Sequence, residues 1–351
     1  MNGAWLDVEY LLWWNKDRYI PALATQSPTG TPIANAGVLG APSTSILFGD
    51  ESINGSPNSG FRISSGMWLE PTQSTGIGFR YFTIEDEENF NVSSDGDPIL
   101  GRPFFDTVTG SGAALLVAFP GVNSGSIDVT ATNEARGFDV YFRKLLLSGN
   151  CNRFDLIGGY HNSTVEDTVN IRNSITGIDG TRIPIDATIT TQDNFVVENQ
   201  FHGGFVGLLA EAGDGALSWS MMGKIAFGNM NQEARISGST TSSVPGAGSA
   251  TSPQGLLALP SNIGSFDQDE FALVPEFNVS VRYNLNSRMQ FILGYSFIYW
   301  SEVALAGDTI DLNVNSSQFT GPLVGAAQPA VSLKSDGFWY TGLSVGGSLR
   351  F

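Results

Sequence analysis

The chain has 351 residues, only 15% of them charged, with 42 glycines, 23 phenylalanines and a mean hydropathy of zero, against roughly 25% charge in ordinary soluble domains. A formal charge of −17 argues against nucleic acid as a partner, and a single cysteine, Cys151, rules out a disulfide within the chain. No run reaches the ~18 to 20 apolar residues of a transmembrane helix, so a chain of this composition that spans a membrane must do so as a closed barrel.

Met1-Asn2-Gly3 leads straight into Trp5, which reads as the start of a mature form. From there period-two alternation recurs in segments of barrel-strand length. Leu6, Val8, Tyr10, Leu12 and Trp14 oppose Asp7 and Glu9. Phe61, Ile63, Met67 and Leu69 oppose Arg62, Ser64, Gly66 and Glu70, and Ile77, Phe79 and Tyr81 oppose Gly78, Arg80 and Phe82. Phe138, Val140 and Phe142 oppose Asp139, Tyr141 and Arg143. Phe154, Leu156 and Tyr160 oppose Arg153, Asp155 and His161, while Phe195, Val197, Phe201 and Phe205 oppose Glu198, Gln200 and His202. Leu217, Trp219, Met221, Ile225 and Phe227 oppose Ser218, Ser220 and Lys224. Phe271 to Tyr283 alternates against Glu276, Asn278, Ser280 and Arg282, and Met289 to Tyr299 follows after a short turn containing Arg288. Leu343, Val345, Leu349 and Phe351 close the series against Ser344, Ser348 and Arg350. Successive strand residues point to opposite faces, so the apolar face is assigned to lipid and the polar face to an enclosed interior. A soluble β-sandwich would reverse the sense and carry Lys- and Glu-rich outer faces, whereas these polar faces hold Arg, Gly, Ser and Gln.

Connection lengths give a second argument. Short links at Pro71 to Thr75, Ser148 to Asn152, Ala212 to Ala216 and Leu285 to Ser287 alternate strictly with long ones near 15–59, 86–125, 164–192, 239–269 and 301–337. Short periplasmic turns and long extracellular loops are the habit of outer-membrane barrels. The expectation is an all-β protein: one transmembrane antiparallel up-and-down β-barrel domain over 1–351, of about 10 strands, with both termini periplasmic. Ile183, Ile185, Ala187 and Ile189 alternate inside the third long loop and suggest a hairpin rising above the membrane, turning near Asp179-Gly180; if it crosses the bilayer, the count becomes 12. The segment from Ile127 to Leu147 is too long for one crossing, and its pattern changes phase near Gly137, where a β-bulge is expected. Trp14, Phe79, Tyr81 and Tyr299 are placed at the outer interface and Tyr283 and Phe351 at the inner one.

Trp5-Leu6-Asp7-Val8-Glu9-Tyr10-Leu11-Leu12-Trp13-Trp14, Arg102-Pro103-Phe104-Phe105, Val274-Pro275-Glu276, Gly294-Tyr295-Ser296-Phe297 and Asp336-Gly337-Phe338-Trp339 occur in order. With them the chain, from Trp5 to Phe351, resembles putative beta-barrel porin family seven, best known from planctomycete genomes. The resemblance implies a protein of the bacterial outer membrane. Terminal Phe351 looks like the C-terminal signal read by the barrel-assembly machinery.

A ring of ten strands at ~4.8 Å spacing and ~40° tilt is roughly 20 Å across, narrower than the 16- to 18-stranded barrels that hold open channels. The expected lining is Arg62, Arg80, Arg143, Arg153, Asp155, Glu198, Lys224, Glu276, Arg282, Arg288 and Arg350, with Asp7, Glu9 and Asp139. It suits either a narrow porin-like path for ions or small solutes or a lumen filled by salt bridges in a structural or surface-interaction barrel. Arg102, Pro103, Phe104 and Phe105 are unusually apolar for a loop and suggest a plug or a small extracellular core. Outer-membrane lipid is the expected surrounding, and homo-oligomerisation stays open. No cofactor is expected beyond calcium in the loops, for which Asp95, Asp97, Asp267 and Asp269 are weak candidates. His161-Asn162-Ser163 has the His-x-Ser spacing of outer-membrane phospholipases, but parity turns both side chains inward and no nucleophile, base and oxyanion site occur together, so no enzyme is expected.

Overall fold

The computed structural model describes residues 3–53 and 57–351; Met1 and Asn2, read above as the start of a mature form, lie outside the described residues. Ten antiparallel strands close into a barrel. They are β1 (Ala4–Asn15), β2 (Asn58–Trp68), β3 (Thr75–Ser94), β4 (Asn123–Ser148), β5 (Asn152–Gly177), β6 (Thr188–Asp214), β7 (Leu217–Val244), β8 (Gly264–Asn284), β9 (Met289–Ala304) and β10 (Ser335–Arg350). Each pairs with its sequence neighbour, and β1 pairs with β10 from Trp5↔Arg350 to Asn15↔Tyr340 to close the ring. The count is ten, not twelve, because β5 and β6 run unbroken to a turn above the membrane; the hairpin is present, but Ile183, Ile185 and Ala187, expected on one of its strands, lie in the turn between Gly177 and Thr188.

The alternation decides which face meets lipid. Val8, Tyr10, Phe61, Met67, Val140, Phe142, Phe154, Leu208, Trp219, Phe227, Phe277, Leu293 and Leu343 are exposed on the outside, and Trp14, Phe79, Tyr283 and Phe351 are exposed with them. Their opposites point inward and are buried or half-buried.

The strands differ greatly in height. β1 and β2 have 12 and 11 residues, whereas β4 to β7 have 26 to 28. The four long strands form a tall wall that continues beyond the lipid band, so much of the expected loops 86–125, 164–192 and 239–269 is strand. Above the band the medium outside changes from lipid to water, and the polarity of the two faces exchanges. In β4 the inward residues Ile127, Val129, Ala131 and Ala135 are buried, while lower down the outward Val140 and Phe142 are exposed. The expected bulge near Gly137 is therefore absent: Gly137 keeps register with Ser163 on one side and Phe82 on the other. Parity never changes; only the surroundings do. The one shift in the β4–β5 ladder lies between Leu145 and Leu147.

What the tall wall buries comes from the loops. A five-stranded sheet of Ala24–Ser27, Ser45–Phe48, Ile99–Asp106, Ser111–Ala118 and Asn313–Val314 packs against its concave side. Leu100, Val117, Leu256, Leu257, Leu259, Ile310 and Val314 from the loops share one core with Val169, Ile171, Phe195, Val197 and Ile236 from the wall. Burial of apolar surface, at roughly 25 cal/mol per Å², makes this half of the molecule behave like a soluble domain seated on a membrane barrel.

Candidate functional site

The barrel interior gathers most of the chain's buried charge. At its centre Arg62 on β2 grips Glu9 on β1 through two bonds of 3.0 and 2.8 Å, a bidentate geometry that suits a planar guanidinium. Arg62 also donates to Ser296 at 2.9 Å, and Ser344 donates to Glu9 at 2.7 Å, so four strands meet here. On the other side Lys224 on β7 donates to both oxygens of Asp139 at 2.5 Å and lies 3.0 Å from Glu276, which also pairs with Arg80. His161 Nδ1 is 2.6 Å from Asp139. Three cations, Arg62, Arg80 and Lys224, face three carboxylates, Glu9, Asp139 and Glu276. The layer is charge-balanced with His161 neutral.

Burial is what gives this layer its meaning. None of these seven side chains is more than 7% exposed, and Lys224 and His161 are 5% and 0%. Immediately above lies an apolar and aromatic layer built by the walls themselves: Leu11, Trp13, Phe82, Phe201, Met230, Val274, Trp300 and Tyr340. Trp13 packs 5.9 Å from Phe82 and 6.3 Å from Tyr340, and Trp300 donates to Ser163 at 2.9 Å. Inward glycines make room for rings, since a Cβ at Gly66 would strike Trp5 and one at Gly78 would strike Tyr141. His161 and Ser163 are both sealed beneath Trp300, out of reach of lipid or solute.

The loop core above is pinned by two buried aspartates that the sequence reading passed over. Asp167 accepts Arg18 at 2.5 Å, Asn133 at 3.0 Å and the Ala306 amide at 2.9 Å. Asp193 accepts Arg102 at 2.7 Å and the amides of Leu257 and Ala258 at 2.9 and 2.7 Å. Between them they tie four separate loops to the tall wall. The available signal was a lone carboxylate in an apolar stripe, Val165-x-Asp167-x-Val169 and Asp193-x-Phe195. Arg18 also bonds Asp86 at 3.1 Å. Burial opposes the Arg18 charge, but Asp167 and then Asp86 more than offset it and hold its guanidinium above its ordinary value, while burial pushes the Asp86 carboxyl up despite Arg18.

At the periplasmic mouth Arg143 and Arg153 converge on Asp155 at 2.5 and 2.7 Å, Arg143 also reaches Glu211 at 2.6 Å, and Arg282 reaches Asp7 at 3.0 Å. Arg350 lies beside them and donates to Gln290 at 3.4 Å. Of the expected lining, Arg62, Arg80, Arg143, Arg153, Asp155, Lys224, Glu276, Arg282 and Arg350 thus occupy the interior or its mouth. Glu198 and Arg288 do not. Glu198 lies on the outer face of β6, 3.4 Å from Arg235, because Phe195, Val197, Phe201 and Phe205 take the inward positions. His202 is turned outward with it, hydrogen-bonding Tyr160 at 2.7 Å instead of joining the interior network. Arg288 is exposed in the turn between β8 and β9.

Arg102 and Pro103 are buried in the loop sheet; Phe104 stacks edge-on to Phe319 at 6.2 Å, whereas Phe105 is exposed. The segment is therefore part of the extracellular core, with Arg102 tied to Asn173 and Asp193 on the tall wall. Asp97 accepts Thr29, Asp269 accepts Asn229 and Asn231, and Asp95 and Asp267 are exposed. Among the described residues no group of three or more His, Cys, Asp or Glu is placed to hold a metal.

Comparison with known proteins adds the following. The model of the family described as Putative beta barrel porin-7 (BBP7) matches residues 5–351. No curated protein matches the chain. Among solved structures, the outer membrane protease OmpT from Escherichia coli is similar over 99% of this chain and 97% of its own, with 9% identity and a TM-score of 0.46. A Pseudomonas aeruginosa FadL homologue is similar over 100% and 90%, with 7% identity and a TM-score of 0.29. The anion-selective porin from Comamonas acidovorans is similar over 99% and 100%, with 8% identity and a TM-score of 0.15.

Proposed function

The chain belongs to the beta barrel porin-7 family and is an outer-membrane β-barrel, and from that premise we propose that it is a closed barrel, anchoring a rigid extracellular extension instead of conducting solute. The observation that supports this most directly is the inaccessibility of the lumen. Inward side chains contributed by all ten strands, among them Glu9, Arg62, Arg80, Asp139, Lys224 and Glu276, are 0–7% exposed at mid-barrel. Conduction would require water-accessible lining, and an Arg- and Lys-bearing layer would be the first place to find it. Here the charges are neutralised by one another, at distances that leave no gap for a hydrated ion.

The extension supports the same reading. β5 has 26 residues, well over twice the roughly 9–11 that a tilted strand needs to cross a bilayer, so the tall wall continues far beyond the lipid band. It is braced from inside by the loop core and by the Asp167 and Asp193 anchors, so the outer face it presents is fixed in shape. A fold label does not decide between a conduit and a platform; the packed interior favours the platform.

Purified protein inserted into planar bilayers at neutral pH tests the proposal. The expected trace is flat, with insertion verified by protection of the barrel from protease. Discrete, reproducible conductance steps from intact protein would sink it.

A further inference from the structure

The cavity at the periplasmic mouth has a volume of about 420 Å³ and opens between the turn after β4 and the turn after β6. Arg153, Arg282 and Arg350, from β5, β8 and β10, line it together with Glu211, Trp219 and Ser220. The carboxylates nearby are already engaged: Glu211 and Asp155 by Arg143, and Asp7 by Arg282 through Nη2. Four guanidiniums, Arg143, Arg153, Arg282 and Arg350, stand against three carboxylates, Asp7, Asp155 and Glu211. Arg282 retains two buried donors, Nε and Nη1, with no hydrogen-bond partner among the described residues. Arg350 lies within electrostatic reach of Arg282 and Arg143 as well as of Asp7 and Glu211, but among the described residues its guanidinium hydrogen-bonds only the neutral Gln290 amide, at 3.4 Å.

A buried N–H group without an acceptor is costly, and a guanidinium is shaped to give two parallel bonds to a carboxylate or phosphate. We propose that this vestibule is a binding site for a small oxyanion, a phosphate or carboxylate group, held between Arg282 and Arg350 and entering from the periplasm. The cavity lies near the lower end of the range for ligand pockets, which favours a compact ligand. The site lies below the sealed layer, so it stands whether or not the lumen conducts.

The test uses the full chain refolded in detergent. Isothermal titration with inorganic phosphate and, separately, with N-acetylglycine is expected to give saturable one-to-one binding for at least one probe. Which of them saturates identifies the group recognised. Affinity is expected to fall at least tenfold in Arg282→Gln and in Arg350→Gln. Because Arg282 also holds Asp7, Arg350→Gln carries the test should the first variant fail to fold; folding is checked by circular dichroism. The exposed thiol of Cys151 lines the same cavity, so bound anion should also slow its reaction with a maleimide. Absence of saturation with both probes, or unchanged affinity in Arg350→Gln, would overturn the proposal.

Discussion

Asp193 shows how much one side chain can hold. It sits on the inner face of β6, fully buried, and accepts a guanidinium and two backbone amides from two different loops. Removing it leaves Arg102 as a buried charge whose remaining partner is the Asn173 side chain at 2.9 Å. Breaking one side of a buried ion pair costs about 3–5 kcal/mol, because the other charge is left desolvated. Asp193→Ala should therefore release the loops locally: amides in Ile99–Asp106 and around Leu257 should lose hydrogen-exchange protection, while those of β1 and β2 keep theirs. Unchanged protection in the loops would show that apolar packing alone holds them. Arg102→Met paired with Asp193→Leu should recover much of the loss, since a well-packed apolar pair can replace a buried ion pair at little cost.

At the scale of strands, register creates something no single segment displays. Glu85, Glu134, Glu166, Glu198, Glu233 and Asp267 are direct cross-strand partners from β3 to β8, forming one row of carboxylates on the outer face above the lipid band. Like charges directly opposite are destabilising, and each pair shifts stability by roughly 0.2–1 kcal/mol. Arg136 and Arg235 relieve the row at Glu134, Glu198 and Glu233. Burial, then Glu198 and Glu134, push the Glu166 carboxyl above its ordinary 4.5. The folded state thus holds this proton more tightly than the unfolded one. Its stabilising effect is full below 4.5 and is lost as pH rises through the raised folded value. Glu166→Gln should stabilise the wall at pH 7 by about 0.5 kcal/mol, and the gain should shrink toward pH 4.5; urea unfolding of the wall, followed by hydrogen exchange in β4–β6, measures both. An equal gain at both pH values would count against the like-charge explanation.

The same strands explain what the sequence could and could not reveal. The transmembrane half was legible because lipid tolerates almost no charge, so β1, β2 and β8 show clean alternation. Alternation proves that two faces differ but carries no arrow. In β6 Phe195, Val197, Phe201 and Phe205 form as clean a stripe as Phe271 to Phe277 in β8, yet the first faces the core and the second faces lipid. The phase change at Gly137 had the same origin, a change of medium along one strand. Asp167, Asp193 and the carboxylate row depend on contacts across strands and loops, which local pattern does not encode.

The whole molecule therefore has two solvents and two kinds of stability. Its lower half is held by lipid outside and an interlocked charged layer inside, and its upper half by a water-excluding loop core of Leu, Val, Ile and Phe. Denaturant weakens burial of apolar surface from water, and it reaches the upper half directly while bilayer shields the lower. All seven tryptophans, Trp5, Trp13, Trp14, Trp68, Trp219, Trp300 and Trp339, lie on barrel strands and none in the loop core. Their fluorescence therefore reports the barrel alone. In lipid vesicles, rising urea should first open the amides of Ile99–Asp106 and Ser111–Ala118 to exchange, and shift tryptophan emission only at higher concentration. A single coincident transition would mean that the loop core and barrel unfold as one unit. The separation of the two midpoints measures how independently the extension is held, and Asp193→Ala should widen it, because that variant weakens only the upper half.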